Sequence, residues 1–221
     1  TGNYVFRPEA LDWFIPYAPL RLRMSGPSMG RLLKTELGDG FVSANLPMLH
    51  RRTLEATGQS EFRPGVVDRD RLVDLSDEFE RQFHGDVLLF AMERLTDLGY
   101  PRAALSEPRV AGVLDAVSAD MRQRYHVKQR LILERLGRLE ALLNDPGHWW
   151  NGAPEHADAV AHFRAFAANI RRNFGADAPA QARLDAPDRR AAWRTRQVAA
   201  ILGLASHRKT WTQALERLTG G

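Results

Sequence analysis

Short runs of aromatic and β-branched residues, separated by Pro and Gly, characterise the chain up to residue 54. This pattern is typical of a mixed α/β segment. We predict that residues 3–7 and 41–46 are strands of one small sheet. Between them, a helix that begins near Gly26 should run to about Leu37 and end at the following glycines. Residues 55–70 are polar and lack periodicity, so we expect a flexible loop there.

From residue 71 to residue 221, apolar residues recur at helical spacing, which predicts a helical domain. Residues 176–187 are rich in Ala, Pro and Asp and are predicted to be a linker. The expected fold class is therefore α+β, predominantly helical, with a small N-terminal sheet followed by a helical bundle. The predicted helices span about residues 76–98, 108–144, 154–174, 188–202 and 208–219.

The predicted helix over residues 108–144 carries an apolar stripe along its whole length. At about 1.5 Å per residue it would be on the order of 50 Å long, which is more than a compact domain usually holds. We therefore expect part of the stripe to pack against a second copy of the chain or against a missing domain. Its members are Val110, Val113, Leu114, Val117, Met121, Tyr125, Ile132, Leu136, Leu139 and Leu143.

Composition narrows the possible classes of protein. The 221 residues are 44% hydrophobic and 26% charged, as in soluble globular proteins, and no apolar run approaches the length of a transmembrane helix. The absence of cysteine excludes disulfides and thiolate zinc sites and fits a reducing, cytoplasmic compartment. The net charge of +4 is spread among acidic residues rather than clustered, so we expect no nucleic-acid partner.

Four short motifs follow one another in the first fifty residues. A Gly-Asn strand ends in Arg7, a Gly-Arg-Leu helix contains Arg31, a Leu-Gly turn precedes the second strand, and Leu46-Pro47-Met48-Leu49 leads to His50. In this order the motifs resemble the second, acceptor-side half of GT-A glycosyltransferases, in particular the mannosylglycerate synthase type. The resemblance covers residues 2–52, about a quarter of the chain.

The resemblance implies transfer of a sugar from a nucleotide-sugar donor to a small or carbohydrate acceptor, with Mg²⁺ or Mn²⁺ as cofactor. It implies that His50 is a metal ligand, because a neutral imidazole can complete the coordination of a divalent ion that neutralises the diphosphate. Arginine suits phosphate because its planar fork donates paired hydrogen bonds. The implied substrate- and phosphate-binding residues are Asn3, Arg7, Ser25, Gly26, Arg31, Arg51 and Arg52.

Two departures from the family pattern stand out. Residues 24–28 contain no carboxylate where inverting enzymes place their general base, and a hydroxyl has too high a pKa to replace it. A retaining enzyme, a diverged one or a protein without catalytic activity fits this pattern. No nucleotide-binding half with an Asp-x-Asp motif precedes Gly2, so we expect a missing N-terminal half on the same polypeptide or on another chain.

The alternative function is a non-catalytic helical interaction or oligomerisation module. In the helical part, Glu80 and His84 are four residues apart and share a face, as metal ligands on a helix would, or they simply lie on its solvated side. Trp149 and Trp150 form an aromatic pair after Pro146-Gly147. Such a pair can stack on a sugar, or it can fill a gap between helices.

Overall fold

The computed structural model describes residues 17–44 and 73–219. Helices account for 79% of the described residues, which confirms a predominantly helical chain. Short 3-10 helices cover Ala18–Leu20, Gly38–Gly40 and Pro154–His156. The α-helices are α1 (Ser25–Leu37), α2 (Ser76–Asp97), α3 (Glu107–Asn144), α4 (Ala157–Phe174), α5 (Pro179–Asp185), α6 (Pro187–Leu202) and α7 (Leu204–Thr219).

The main correction concerns the predicted small N-terminal sheet. No strand occurs among the described residues, so the α+β class with a GT-A-type sheet piece is wrong for the described part of the chain. After α1, Gly38 adopts a left-handed φ of 54° and opens a 3-10 turn, and the Phe41 amide donates to the Gly38 carbonyl at 3.0 Å. Residues 41–44 then follow without regular structure, and Val42 is 81% exposed. The other predicted strand, residues 3–7, lies outside the described residues.

The chain divides into two compact units. The first consists of the described parts of Thr1–Ser43, Glu80–Arg122 and Ala186–Gly221, and the second of the described parts of Ala44–Phe79 and Gln123–Asp185. The predicted boundary near residue 70 falls outside the described residues and stays a prediction.

In the first unit, the segment that precedes α1 packs against the helices that follow much later in the chain. Tyr17 is buried, and its hydroxyl lies 3.1 Å from the Tyr100 hydroxyl, which in turn donates to the Ile201 carbonyl at 2.8 Å. At the end of α1, Glu36 accepts two hydrogen bonds from Arg208 at 2.5 and 2.6 Å. The residues around α1 are thus built into the same unit as α2, α6 and α7.

The second unit is held by α4. Two of its asparagines bind the chain just before α2: Asn169 accepts from the Val73 amide at 2.8 Å, and Asn173 accepts from the Leu75 amide at 2.8 Å. Asn173 also donates to the Val73 carbonyl at 2.8 Å, so these buried amides satisfy backbone groups that no helix pairs. The core of this unit contains Leu136, Leu143, Val160 and Ala167.

Two helix predictions need correction. The predicted linker over residues 176–187 contains α5, which buries Ala180, Gln181 and Leu184, and the last helix begins at Leu204 rather than near residue 208. Tertiary burial of these few side chains stabilises a helix whose local sequence resembles a linker. No helix in the described part of the chain is long and apolar enough to cross a membrane.

Seven of the ten residues of the predicted stripe on α3 are buried, and packing of the stripe against a second copy or a missing domain stays a prediction. Its buried members are Val110, Leu114, Val117, Met121, Tyr125, Leu136 and Leu143. The large apolar residues that α3 does expose belong to a different set: Val127, Leu131 and Leu142 are 39%, 48% and 42% exposed.

Candidate functional site

A cleft in the first unit combines buried polar groups with several arginines. It has a volume of about 260 Å³, and residues of α2, α3 and α6 line it. We call it the arginine cleft. Its buried floor consists of His84, Val87, Leu114 and Gln197, and its rim consists of Asp115, Ser118, Ala119, Arg122, Pro187, Arg190, Ala191 and Arg194.

Next to the floor, a buried carboxylate is paired across two helices. Glu80 of α2 accepts from Arg189 of α6 at 2.9 and 2.5 Å and from the indole N–H of Trp193 at 3.0 Å. Glu80 is 4% exposed. Burial by itself would raise the pKa of Glu80, but the hydrogen bonds from Arg189 and Trp193 lower the pKa overall. Glu80 is therefore ionised, and its charge is fully engaged.

His84 lies one turn further along α2 and stacks on Trp193, with 4.6 Å between ring centroids and an interplanar angle of 21°. Burial lowers the pKa of His84 to about 4. The carboxylate of Glu80 raises this pKa, and the guanidiniums of Arg189 and Arg196 lower it. Gln197 donates its side-chain amide to the His84 carbonyl at 2.8 Å, which ties α6 to α2 below the cleft. The two polar residues of the floor, His84 and Gln197, are thus neutral at pH 7.

The rim carries the charge of the cleft. Asp115 of α3 accepts a bidentate pair from Arg194 of α6, at 2.7 and 3.0 Å. Arg122 lies two turns further along α3, and Arg190 lies in the first turn of α6. The rim therefore holds three guanidiniums and one carboxylate, and one of the guanidiniums pairs with that carboxylate.

The described residues implied by the resemblance lie away from this cleft. Ser25 and Gly26 form the first turn of α1. Arg31 forms an ion pair with Glu93 at 3.0 Å and lies over the Phe90 ring, 5.8 Å from its centroid, so it ties α1 to α2. Whether Ser25, Gly26 and Arg31 bind substrate or phosphate stays a prediction. Asn3, Arg7, His50, Arg51 and Arg52 lie outside the described residues, and their roles stay predictions.

The described residues offer no metal centre. No group of three or more His, Asp or Glu side chains among them could hold an ion. Glu80 and His84, considered above as metal ligands or as solvated groups, are neither solvated nor grouped with a third ligand, since both are 4% exposed. His50, the ligand of Mg²⁺ or Mn²⁺ that the resemblance implies, lies outside the described residues, so this metal stays a prediction.

The two residues of the tryptophan pair, Trp149 and Trp150, have different environments. Trp150 packs on the core of the second unit, stacks on Phe163 at 6.1 Å and donates its indole N–H to the Leu142 carbonyl at 3.3 Å. Trp149 is 69% exposed, and its ring contacts His156 edge-on at 5.1 Å. One ring fills a gap between helices, while the other remains at the surface.

Sequence reasoning missed the arginine cleft. Its arginines are 122, 190 and 194, and only the close spacing of Arg189, Arg190, Arg194 and Arg196 in α6 could have drawn attention to it. No protein-family model, curated protein or solved structure matches this chain.

Proposed function

We propose that the chain is the acceptor-side part of a metal-dependent glycosyltransferase that moves a sugar from a nucleotide-sugar donor to a small or carbohydrate acceptor. The observation that carries the proposal is the order of the four motifs over residues 2–52, which resembles that of the family. The proposal concerns function and retains no part of the predicted sheet.

Two structural features are compatible with it. The helix that contains the Gly-Arg-Leu motif, α1, ends at Leu37 with Gly38 as its C-cap, as predicted from the motif region. The same region packs into one unit with α2 and α7, where Arg81 donates to the Arg21 carbonyl at 2.7 Å and Arg208 holds Glu36. The helical part is therefore joined to the region that carries the resemblance by specific side-chain contacts.

The test is a transfer assay on the full-length protein. Release of nucleoside diphosphate is measured from a panel of nucleotide sugars, with Mn²⁺ or Mg²⁺ and with a chelator. We expect one donor class to be consumed, and consumption to stop when the metal is removed. His50→Ala should lower turnover by about 100-fold or more, since a lost metal ligand costs several kcal/mol of transition-state stabilisation.

The matched control is His162→Ala, a substitution of a histidine in α4 that no motif implicates. Urea denaturation of both variants checks that a loss of turnover is not a loss of folding, and we expect each variant to unfold within about 1 kcal/mol of the parent protein. If His50→Ala and His162→Ala turn over equally fast, His50 has no role in catalysis. If no donor is consumed under any condition, the alternative of a helical interaction module replaces the proposal.

A further inference from the structure

The second half of α3 exposes apolar side chains along one face. Val127, Leu131 and Leu142 are 39%, 48% and 42% exposed, and all three belong to the second unit. Leu131 follows Val127 by about one helical turn and precedes Leu142 by about three turns, so the three side chains lie on the same side of the helix. At about 1.5 Å per residue, this apolar line is about 22 Å long.

Cations stand on the same face of α3. Lys128, Arg135 and Arg138 are exposed, and with Leu131 and Leu142 they form a series in which steps of three and four residues alternate. Apolar and basic side chains therefore share one strip of the helix surface. We call it the basic strip, and its members are Val127, Lys128, Leu131, Arg135, Arg138 and Leu142.

Nearby carboxylates offset only part of this positive charge. Residues 121–133 contain no Asp or Glu. The next residue, Glu134, pairs with Arg138 one turn away. Within the part of the chain that the structure describes, no carboxylate forms an ion pair with Lys128 or Arg135. The three cations of the strip and the one carboxylate of Glu134 leave a formal net charge of +2.

The spacing and the charge together indicate what covers the strip. Alternating steps of three and four residues are the spacing at which one α-helix packs along another. A second copy of the strip would bring like charges together, which is unfavourable. A lipid surface requires apolar side chains that reach about 5–10 Å into the bilayer boundary, whereas those of the strip are more than half covered by their own chain. A helix with an apolar seam and flanking carboxylates matches both properties of the strip.

We propose that the basic strip of α3 binds an acidic amphipathic helix of another protein. Leu131 and its apolar neighbours pack on the seam of that helix, while Lys128 and Arg135 pair with its carboxylates. A single helix on a strip of this length makes a small interface, so we expect a dissociation constant in the micromolar range. None of the motif residues belongs to the strip, so the interaction does not depend on the proposed transferase activity.

Fluorescence anisotropy of the full-length protein with a labelled peptide probe tests the inference. The probe is an acidic amphipathic peptide of about three heptads, with leucine along its seam and glutamate beside the seam, and it spans about 30 Å as a helix. A second peptide has lysine in place of every glutamate. We expect saturable binding of the acidic peptide, at least about tenfold tighter than binding of the basic one. Raising the salt concentration from about 0.05 to about 0.5 M should weaken it several-fold, because exposed ion pairs are screened.

Substitutions locate the binding on the strip. Leu131→Glu puts a carboxylate at its centre and should weaken binding of the acidic peptide by about tenfold or more, whereas Leu131→Met should bind like the parent protein. Lys128→Gln combined with Arg135→Gln should weaken binding by about fivefold and reduce its salt dependence. The matched controls, Leu218→Glu and Lys209→Gln, change exposed residues of α7 and should leave the affinity unchanged. Circular dichroism checks that every variant keeps the helix content of the parent protein.

Several results would overturn the inference. They are no saturation by the acidic peptide up to about 500 μM, equal binding of the acidic and basic peptides, or equal affinity in Leu131→Glu and Leu218→Glu. Self-association in analytical ultracentrifugation that Leu131→Glu abolishes would assign the strip to a second copy instead. Cosedimentation with vesicles of phosphatidylcholine and phosphatidylglycerol that Leu131→Glu abolishes would assign it to an anionic membrane.

Discussion

Removal of the buried carboxylate of Glu80 is the most informative perturbation of the first unit. Glu80 joins α2 to α6 through two hydrogen bonds from Arg189 and one from Trp193. Glu80→Ala deletes all three and leaves the indole N–H without its acceptor. Glu80→Gln keeps the size and one carbonyl oxygen but removes the charge, so it separates the loss of the ion pair from the loss of side-chain volume.

The expected magnitude follows from the exposure of the partners. Breaking a fully buried ion pair by removing one partner costs about 3–5 kcal/mol. Here the Glu80 side chain is 5% exposed but the Arg189 side chain is 45% exposed, so water can solvate the guanidinium after the substitution. We therefore expect Glu80→Ala to lower the free energy of unfolding by about 2–3 kcal/mol. For Glu80→Gln we expect about 1–2 kcal/mol, since the indole retains an acceptor.

Urea denaturation followed by circular dichroism measures both effects, and the control lies on the same helix. Glu93 pairs with Arg31 at 3.0 Å, but its side chain is 51% exposed, so Glu93→Ala should cost at most about 1 kcal/mol. Helix propensity changes equally in the two alanine variants. If Glu80→Ala destabilises no more than Glu93→Ala, the buried pair does not hold α2 to α6 and the account of the cleft floor is wrong.

Two further predictions concern α2 and α3. His84 has a folded-state pKa of about 4, below its unfolded value of 6.5, so the unfolded state binds more protons between these values and stability should fall as the pH drops through this window. The free energy of unfolding should fall by roughly 3 kcal/mol near pH 4, and this contribution should disappear in His84→Gln. Urea denaturation at successive pH values measures it, and equal pH profiles of stability in the parent protein and His84→Gln would contradict the prediction. A Cβ at Gly85 would lie 2.3 Å from the Arg23 carbonyl oxygen, whereas a Cβ at Gly112 would meet nothing within 4 Å. Thermal denaturation should therefore show that Gly85→Ala destabilises by about 2 kcal/mol or more while Gly112→Ala stabilises by up to about 1 kcal/mol, and similar melting temperatures for the two would refute the close approach at Gly85.

Local signals in the sequence predicted the helices well. Helix α1 ends where Gly38 can adopt a positive φ, and α2, α3 and α6 occupy close to the ranges expected from apolar spacing. Helix periodicity and helix ends depend on residues a few positions apart, so a short segment of sequence is enough to predict them.

The wrong predictions, a strand at residues 41–46 and a linker at residues 176–187, have a different physical origin. Residues 41–46 have the composition of a strand, but a strand needs a neighbour to pair its backbone groups, and residues 41–44 have none among the described residues. Helix α5 has the composition of a linker, and its Ala180 and Leu184 are buried in the folded chain. In both cases the environment, rather than local propensity, determined the conformation.

The sequence by itself determined the helical periodicity, the ends marked by glycine and the order of motifs that suggests a transferase. Only the tertiary structure decided that Glu80 and His84 are buried, because their partner Trp193 lies 113 residues from Glu80 along the chain. It also decided that Arg122, Arg190 and Arg194 line one cleft, since three helices must pack before these side chains meet. Hydrophobic burial brings such distant helices together, and the charges at their junctions follow from that packing.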